Sequence, residues 1–400
     1  MIFGVAWAVM AILTAALSFL TVYLLVLTIA AIFARTSGPA AGCAQRRFAI
    51  LIPAHNEEAL IGRLLASVKQ LHYPAERYDV CVVADNCDDS TADIARSMGA
   101  AVWERTDTRD RAKGFALRWL LEQLRCEGKQ YDAFVVLDAD STIAANFLTC
   151  MNARLEHGSQ VVQAYYSVTN ATDSAVTGLR YAALAAIHYV RPLGRSLLGL
   201  SCGLKGNGMC FSTAVVERFG WNWFTLAEDV EFHLALVRAG IRVDFAPETS
   251  VQAEMPVTLA QAASQNARWE QGRLQLVRQY VPGLLLSGIR SADTVQLDAA
   301  VEQLIPPLSL PFALAAACVL ACLPIGAIEL AIVALLNLVG QMAYLLTGLV
   351  LVGAPRGAYT ALGAAPVYIL WKIGLYARAM LSNRAGAWVR TARVVGDVQR

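Results

Sequence analysis

The first thirty-four residues carry no charge at all, and that constrains the chain more than any other feature. Met1 to Ala34 has no Asp, Glu, Lys or Arg, and the first charged side chain is Arg35. As a helix this run would be about 51 Å long, enough to cross a roughly 30 Å hydrocarbon core once, with overhang or tilt. It lacks the basic start of a secretory signal and is too long for an ordinary signal core. The acids are partitioned to match: all but Glu302, Glu329 and Asp397 lie between Glu57 and Asp298. A charged, water-facing block therefore stands between two apolar ends. The composition agrees, with 56% hydrophobic and 16% charged residues against about 45–50% and 25% in soluble domains. A net charge of +2 gives no reason to expect nucleic acid as a partner.

Arg35, Arg46 and Arg47 follow the first apolar run. By the positive-inside rule the central block is expected in the cytoplasm and the N-terminus outside, in the inner cell membrane. Three further apolar stretches, near 304–323, 328–352 and 359–381, make the expected arrangement multi-pass. Arg384, Arg390, Arg393 and Arg400 then argue for a cytoplasmic tail. Three full crossings would end outside, so one stretch is a candidate re-entrant segment, and Pro306, Pro307 and Pro311 point to the first. The expected organisation is an N-terminal membrane helix over 1–34, a linker over 35–47, a soluble domain over 48–285, a membrane region over 304–381 and a basic tail over 382–400. Nine scattered cysteines with no CxxC pair suggest neither a zinc ribbon nor a disulfide framework.

Within the soluble block short β-rich runs alternate with helical periodicity. Phe48–Ile52, Val80–Val83, Ala101–Trp103 and Phe134–Leu137 read as strands. Glu57–Gln70, Thr91–Met98 and Lys113–Leu124 read as helices. That alternation predicts an α/β fold, a mostly parallel sheet with helices on both faces. Such sheets bind ligands beyond the carboxyl ends of their strands. His55-Asn56-Glu57, Asp85 and Asp138-Ala139-Asp140 fall at those ends. Paired carboxylates one residue apart suit Mg²⁺, which takes one or two carboxylates and completes its shell with water and substrate phosphate. An acidic turn closing a strand is the plainer account of such a pair alone. Asp85 can accept from a base N–H, while Asp89 and Ser90 are expected to cap the next helix. Lys113 could meet a diphosphate or be a solvated surface lysine.

Glu228-Asp229 opens an amphipathic helix, where acids often only answer the helix dipole. Gln265, Arg268 and Trp269 share a helix face, and a helix lying on the membrane with Arg273 and Arg278 reaching outward would look the same. Between Asp173 and Glu217 there is no acid, but Arg180, Arg191, Arg195 and Lys205 occur among apolar residues. This stretch reads as membrane-apposed.

An Asp after the second strand, then DxD, then ED at a helix start, then QxxRW, in this order, resembles the membrane-bound family-2 glycosyltransferases. That family includes cellulose, hyaluronan and poly-N-acetylglucosamine synthases and ceramide glucosyltransferase. The resemblance covers about residues 48–285 and implies a GT-A-like fold. It further implies that Pro53, Ala54, His55, Asn56, Glu57, Asp85, Lys113 and Arg268 serve the donor. Asp138 and Asp140 would hold the diphosphate through Mg²⁺ or Mn²⁺, and Asp229 would be the general base. Gly206, Asn207, Gly208, Glu228, Gln265 and Trp269 would line the acceptor side. Trp388, Thr391 and Arg393 resemble a gating segment, although Val389 stands where that segment has glycine. Ala227 replaces the threonine that often precedes ED. The implied partners are a UDP-sugar, a glycan or lipid acceptor and the bilayer. The expected activity is an inverting transfer, first a polysaccharide synthase making a β-linked product and second a glycolipid-forming transferase. Export of a polymer would need more helices, a partner subunit or an oligomer. A non-catalytic nucleotide-sugar-binding subunit is the reading from another class.

Overall fold

The computed structural model describes residues 2–38 and 45–381; the gating candidates Trp388, Thr391 and Arg393 lie outside them. The chain opens with α1 (Ile2–Phe33), a long helix without a charged residue. Then come β1 (Phe48–Ala54), α2 (Ile61–Val68), β2 (Tyr78–Asp85), α3 (Thr91–Ser97), β3 (Ala101–Arg105), α4 (Lys113–Cys126) and β4 (Ala133–Val136). The pairings β1–β2, β1–β4 and β2–β3 are parallel, as the alternation predicts. β1 is buried along nearly its whole length, which is why it reads as an unbroken apolar run. Its helix starts later than the periodicity suggests, at Ile61 rather than Glu57. The Glu57 and Glu58 N–H groups are engaged instead by Thr91 Oγ1 (2.8 Å) and Asp89 Oδ2 (3.2 Å).

The second half of the sheet differs from the expected pattern. β5 (Ser141–Ile143), α5 (Phe147–Glu156), β6 (Val161–Val168), α6 (Ala175–Ala185), a π turn (Ala186–Val190), α7 (Arg191–Leu197), β7 (Met209–Ser212), α8 (Thr213–Phe219), α9 (Glu228–Arg238) and β8 (Val243–Ala253) follow in order. The sheet order is β3-β2-β1-β4-β7-β6-β8-β5. Here β4–β7, β6–β7 and β5–β8 run antiparallel and β6–β8 parallel, so the sheet is mixed. Apolar clusters cover both faces: Ile50, Ile52, Leu64 and Phe147 on one, Leu51, Leu117, Phe211 and Phe232 on the other.

The described residues close with α10 (Leu259–Ser291), α11 (Thr294–Leu304), α12 (Ser309–Cys322), α13 (Ile328–Leu351), α14 (Arg356–Ala361) and α15 (Ala365–Leu381). Among the described residues, α1 and α13 are each long and apolar enough to cross a membrane. α11 and α12 pass that test only as a pair bent by 69°. Pro306 and Pro307 fall in the break, where two successive residues without a backbone N–H disfavour a continuous helix. This is the stretch that the sequence marks as a candidate re-entrant or interfacial segment. Ile12 and Phe19 on α1 and Leu336 on α13 stay largely exposed and form an apolar outer surface. The inner seam is polar and close: Asn337 Nδ2 donates to Ser18 Oγ at 3.0 Å and Gln341 Nε2 to Thr21 Oγ1 at 3.3 Å. A Cβ at Gly340 would stand 2.6 Å from Thr21 Cγ2, so the seam requires a small residue there.

The acid-free stretch does not lie with its cations toward lipid. Arg180, Arg191 and Arg195 are all buried. Arg191 Nε donates to the Tyr344 hydroxyl (2.8 Å), and that hydroxyl donates to the Ala186 carbonyl (2.8 Å), pinning the π turn to α13.

Candidate active site

The carboxyl ends of β1, β2 and β4 converge, and the sequence-chosen polar residues meet there. At the β1 and β2 exits Asn56 and Asn86 adopt φ of 55° and 54°, a left-handed conformation that Asn tolerates better than most residues. The two turns are laced together. His55 Nδ1 lies 2.8 Å from the Asp85 carbonyl, and the Asp88 N–H donates to Asn56 Oδ1 at 2.9 Å. Asp89 accepts from the Thr91 N–H (3.0 Å), so it does the capping, while Ser90, at the cap position, makes no side-chain cap.

Asp85 is buried, and Arg105 at the end of β3 donates to its Oδ1 at 2.6 Å. Burial raises the Asp85 carboxyl, and Arg105 works against that rise. Arg105 also donates to Asp107 Oδ2 (2.9 Å) and to the Asp110 carbonyl (3.0 Å), which fastens the β3–α4 loop. Arg105 was not among the residues expected from the sequence. Its signal was its place one strand over from Asp85, in the residues that extend the third strand beyond Trp103.

Asp138 and Asp140 sit in the turn from β4 to β5, where the Ser141 N–H returns to the Asp138 carbonyl at 3.1 Å. Both carboxylates are partly exposed. Among the described residues no group of three or more His, Cys, Asp or Glu could hold a metal. A two-carboxylate site fits Mg²⁺ or Mn²⁺, which leave several positions to water and substrate phosphate, and does not fit a cation needing a full protein cage. Lys113 is not a solvated lysine. Its Nζ donates to Asp138 Oδ1 at 2.5 Å and to the Gly206 carbonyl. Burial alone would lower the ammonium, but Asp138, Glu228 and Asp229 outweigh it and the pKa is raised. α4 brings Lys113 this near because Gly114 follows it: a Cβ there would lie 2.0 Å from the Trp223 carbonyl oxygen.

The Gly206-Asn207-Gly208 loop completes this wall. Asn207 Oδ1 accepts from the Asp138 N–H (3.1 Å), and its Nδ2 donates to Ser141 Oγ (2.7 Å). Gln163 Nε2 donates to the Asn207 carbonyl at 2.8 Å. Gly208 has φ of 68°, and a Cβ on it would meet Val251 Cγ1 at 2.5 Å, so no larger residue fits.

Glu228 and Asp229 begin α9 and face this loop. Asp229 Oδ2 lies 3.4 Å from the Cβ position of Gly206, and Glu228 Oε1 lies 4.0 Å from Lys113 Nζ. Burial raises both carboxyls, and for Glu228 the neighbouring Asp229 raises it further, while Lys113 draws each back. Two acids pushed upward beside a cation suit proton acceptance near neutral pH. From α10, burial lowers the Arg268 guanidinium, with Glu228 and Asp138 close enough to oppose that shift. Gln265 and Trp269 are held by Arg180, which donates to Gln265 Oε1 and lies over the Trp269 ring at 5.4 Å. Gln265 and Arg268 are partly buried on this face, while Trp269 and, further along, Arg278 stay exposed. Arg273 binds Glu270 Oε2 and the Gln303 carbonyl and does not reach outward.

A parallel half joined through a DxD turn to a mixed half carrying an acid pair defines a GT-A-like fold. A solved mannosyltransferase from Pyrobaculum calidifontis, in complex with GDP-Man and Mn²⁺, shares it. The match has a TM-score of 0.56 at 20% identity and covers 86% of this chain and 98% of that one. The chain belongs to the family described as glycosyltransferase like family 2, whose model matches residues 45–272. It is 27% identical over 240 residues to a beta-monoglucosyldiacylglycerol synthase of Trichormus variabilis, covering 58% of this chain and 50% of that protein. It is 24% identical over 250 residues to glucomannan 4-beta-mannosyltransferase 7 of Arabidopsis thaliana, covering 60% and 44%. The chain spans about half the length of the curated relatives it matches.

Proposed function

We propose that the protein is a membrane-embedded inverting glycosyltransferase that moves a sugar from a UDP-sugar onto the hydroxyl of a membrane-held acceptor. The observation that carries this reading is that Asp138, Lys113, the Gly206–Gly208 loop and the Glu228–Asp229 pair are joined by contacts beyond the same sheet edge at which β2 ends in Asp85. Asp85, held by Arg105, and the 53–57 turn receive the nucleoside. Asp138 and Asp140 hold Mg²⁺ or Mn²⁺, which when bound supplies positive charge for the leaving diphosphate. Lys113 and Arg268 add fixed positive charge on the same side. Asp229 accepts the proton of the attacking hydroxyl as general base. Glu228, beside Lys113, keeps that ammonium at the cleft. Gln265 and Trp269, fixed by Arg180, line the acceptor side. One in-line displacement converts an α-linked donor into a β-linked product.

The acceptor we favour is a lipid headgroup. The π turn next to the acceptor loop is pinned to α13, so that side of the cleft abuts the apolar helices. The similarity to a beta-monoglucosyldiacylglycerol synthase supports it. A growing glycan is the second reading, supported by the similarity to a glucomannan mannosyltransferase. The cleft faces the cytoplasm in both. Purified protein in vesicles with and without diacylglycerol, given a panel of UDP- and GDP-sugars with Mn²⁺ or EDTA, tests this. A radiolabelled product in the organic phase supports the lipid reading, and a sized aqueous polymer supports the glycan reading. No product with any donor, or full turnover in EDTA, refutes the transferase or its metal. A periplasm-only reporter fused near Lys129 should stay silent; strong signal overturns the orientation.

A further inference from the structure

Arg195, on α7, has no solvent exposure, yet the chemistry above makes no use of it. Its Nε donates to Asp298 Oδ2 (2.8 Å), its Nη2 donates to the Tyr23 hydroxyl (2.7 Å), and its Nη1 lies 2.8 Å from Glu302 Oε2. The Tyr23 hydroxyl in turn donates to Asp298 Oδ1 at 2.6 Å. The other Glu302 oxygen lies 3.6 Å from Lys205 Nζ. One buried cluster therefore ties α1, α7 and α11 to the residue that precedes Gly206. Buried ion clusters are a poor route to stability, since apolar residues of similar volume often do as well or better. What a set of interlocked charges does provide is position.

The loop is held from both ends. Lys205 N–H donates to Gln163 Oε1 (2.9 Å), the same amide that fixes the Asn207 carbonyl. Beyond it, Gly206 and Asn207 are bonded to Lys113 and Asp138. On the other side the Lys205 ammonium folds back over Gly203, where a Cβ would stand 3.3 Å from Nζ and 3.7 Å from Glu302 Oε2. The Lys205 charge also reaches Asp229. Release of Lys205 would thus free one side of the loop that Asp229 packs against.

We propose that Glu302 and Arg195 are positioning residues for the acceptor side of the transfer: from α11 and α7 they set Lys205, and with it the Gly206–Gly208 loop, against Asp229. The inference rests on the transferase reading and adds the residues that aim its acceptor side. The test uses the full chain in vesicles, with the substrates for which the wild type shows turnover. Glu302→Gln, Lys205→Met, Lys205→Arg and Tyr23→Phe are compared for kcat, acceptor KM and calorimetric affinity for UDP with Mn²⁺. A misplacement of about 1 Å costs on the order of 10²-fold in rate, so Glu302→Gln and Lys205→Met should fall by about that much in kcat. UDP affinity should stay at the wild-type value, and Lys205→Arg, which keeps the cation, should retain most turnover. Tyr23→Phe removes a single hydroxyl from an apolar helix, should lower kcat less and in the same direction, and carries the test if Glu302→Gln does not fold. Variants with lower melting temperatures but wild-type kcat per folded molecule would overturn the inference while leaving the transferase intact. A wild type with no turnover would remove the parent reading instead.

Discussion

Replacing Asp229 by Asn separates a base from a helix-capping acid, because the two roles differ by orders of magnitude in rate. Asp229 lies in the first turn of α9, where a carboxylate gains about 0.3–1 kcal/mol from the helix dipole. Against that, burial already disfavours its charge, and its negative charge raises the pKa of adjacent Glu228. The two contributions oppose each other, so Asp229→Asn should move stability by no more than about 1 kcal/mol. Asn is nearly isosteric, so the contact with Gly206 persists and the cleft keeps its shape. Loss of a general base lowers turnover by about 10²–10⁴-fold, or roughly 2.7–5.5 kcal/mol in the barrier. The nucleotide is held by other groups, so UDP affinity in the presence of Mn²⁺ should not change. The assay pairs turnover of the donor with calorimetric UDP binding and a melting curve on the same preparation. A folded Asp229→Asn protein that keeps more than about a tenth of wild-type turnover falls outside the range for a lost base and refutes the assignment.

Two further outcomes follow from the electrostatics. Arg105→Met leaves Asp85 buried without its cation, and breaking such a pair costs about 3–5 kcal/mol. The melting temperature and donor affinity should both fall, and Asp85→Asn with Arg105→Met should restore stability but not donor binding; unchanged melting of Arg105→Met would refute the pairing. For pH, burial lifts the Glu228 carboxyl from 4.5 to about 7 and raises Asp229 as well. The folded pKa lies above the unfolded one, so the pair's contribution to stability is full below the unfolded value and is lost as pH rises through the folded one. Catalysis needs the ionised base, so turnover should rise over the same interval in which stability declines. A pH–rate profile set beside pH-dependent melting checks this, and turnover that falls as pH rises toward neutrality would contradict it.

What could be read in the sequence, and what could not, divides by the range of the interaction. β1 and β4 are apolar runs buried between neighbours, and their carboxyl ends are marked by polar residues a few positions away, so the parallel half and the DxD turn were legible locally. The antiparallel half was not. β5 has three residues and β7 four, too few to show a period, and their partners are set by the sheet rather than by either segment. Arg105 lies beyond the point where the third strand was expected to end, and its partner is 20 residues earlier. The acid-free stretch was read as membrane-apposed, and nothing local showed where its basic residues find partners. Their partners are 85, 103 and 153 residues further on, at Gln265, Asp298 and Tyr344. The complementary signal was present at the other end: Glu302 and Glu329 are the only acids beyond Asp298 until Asp397. An unpaired acid at the edge of an apolar region and an unpaired base in an acid-free one each carry a desolvation penalty, and one contact between them offsets part of both. Glu302 and Arg195 make that contact, and through Lys205 it reaches the loop that faces Asp229.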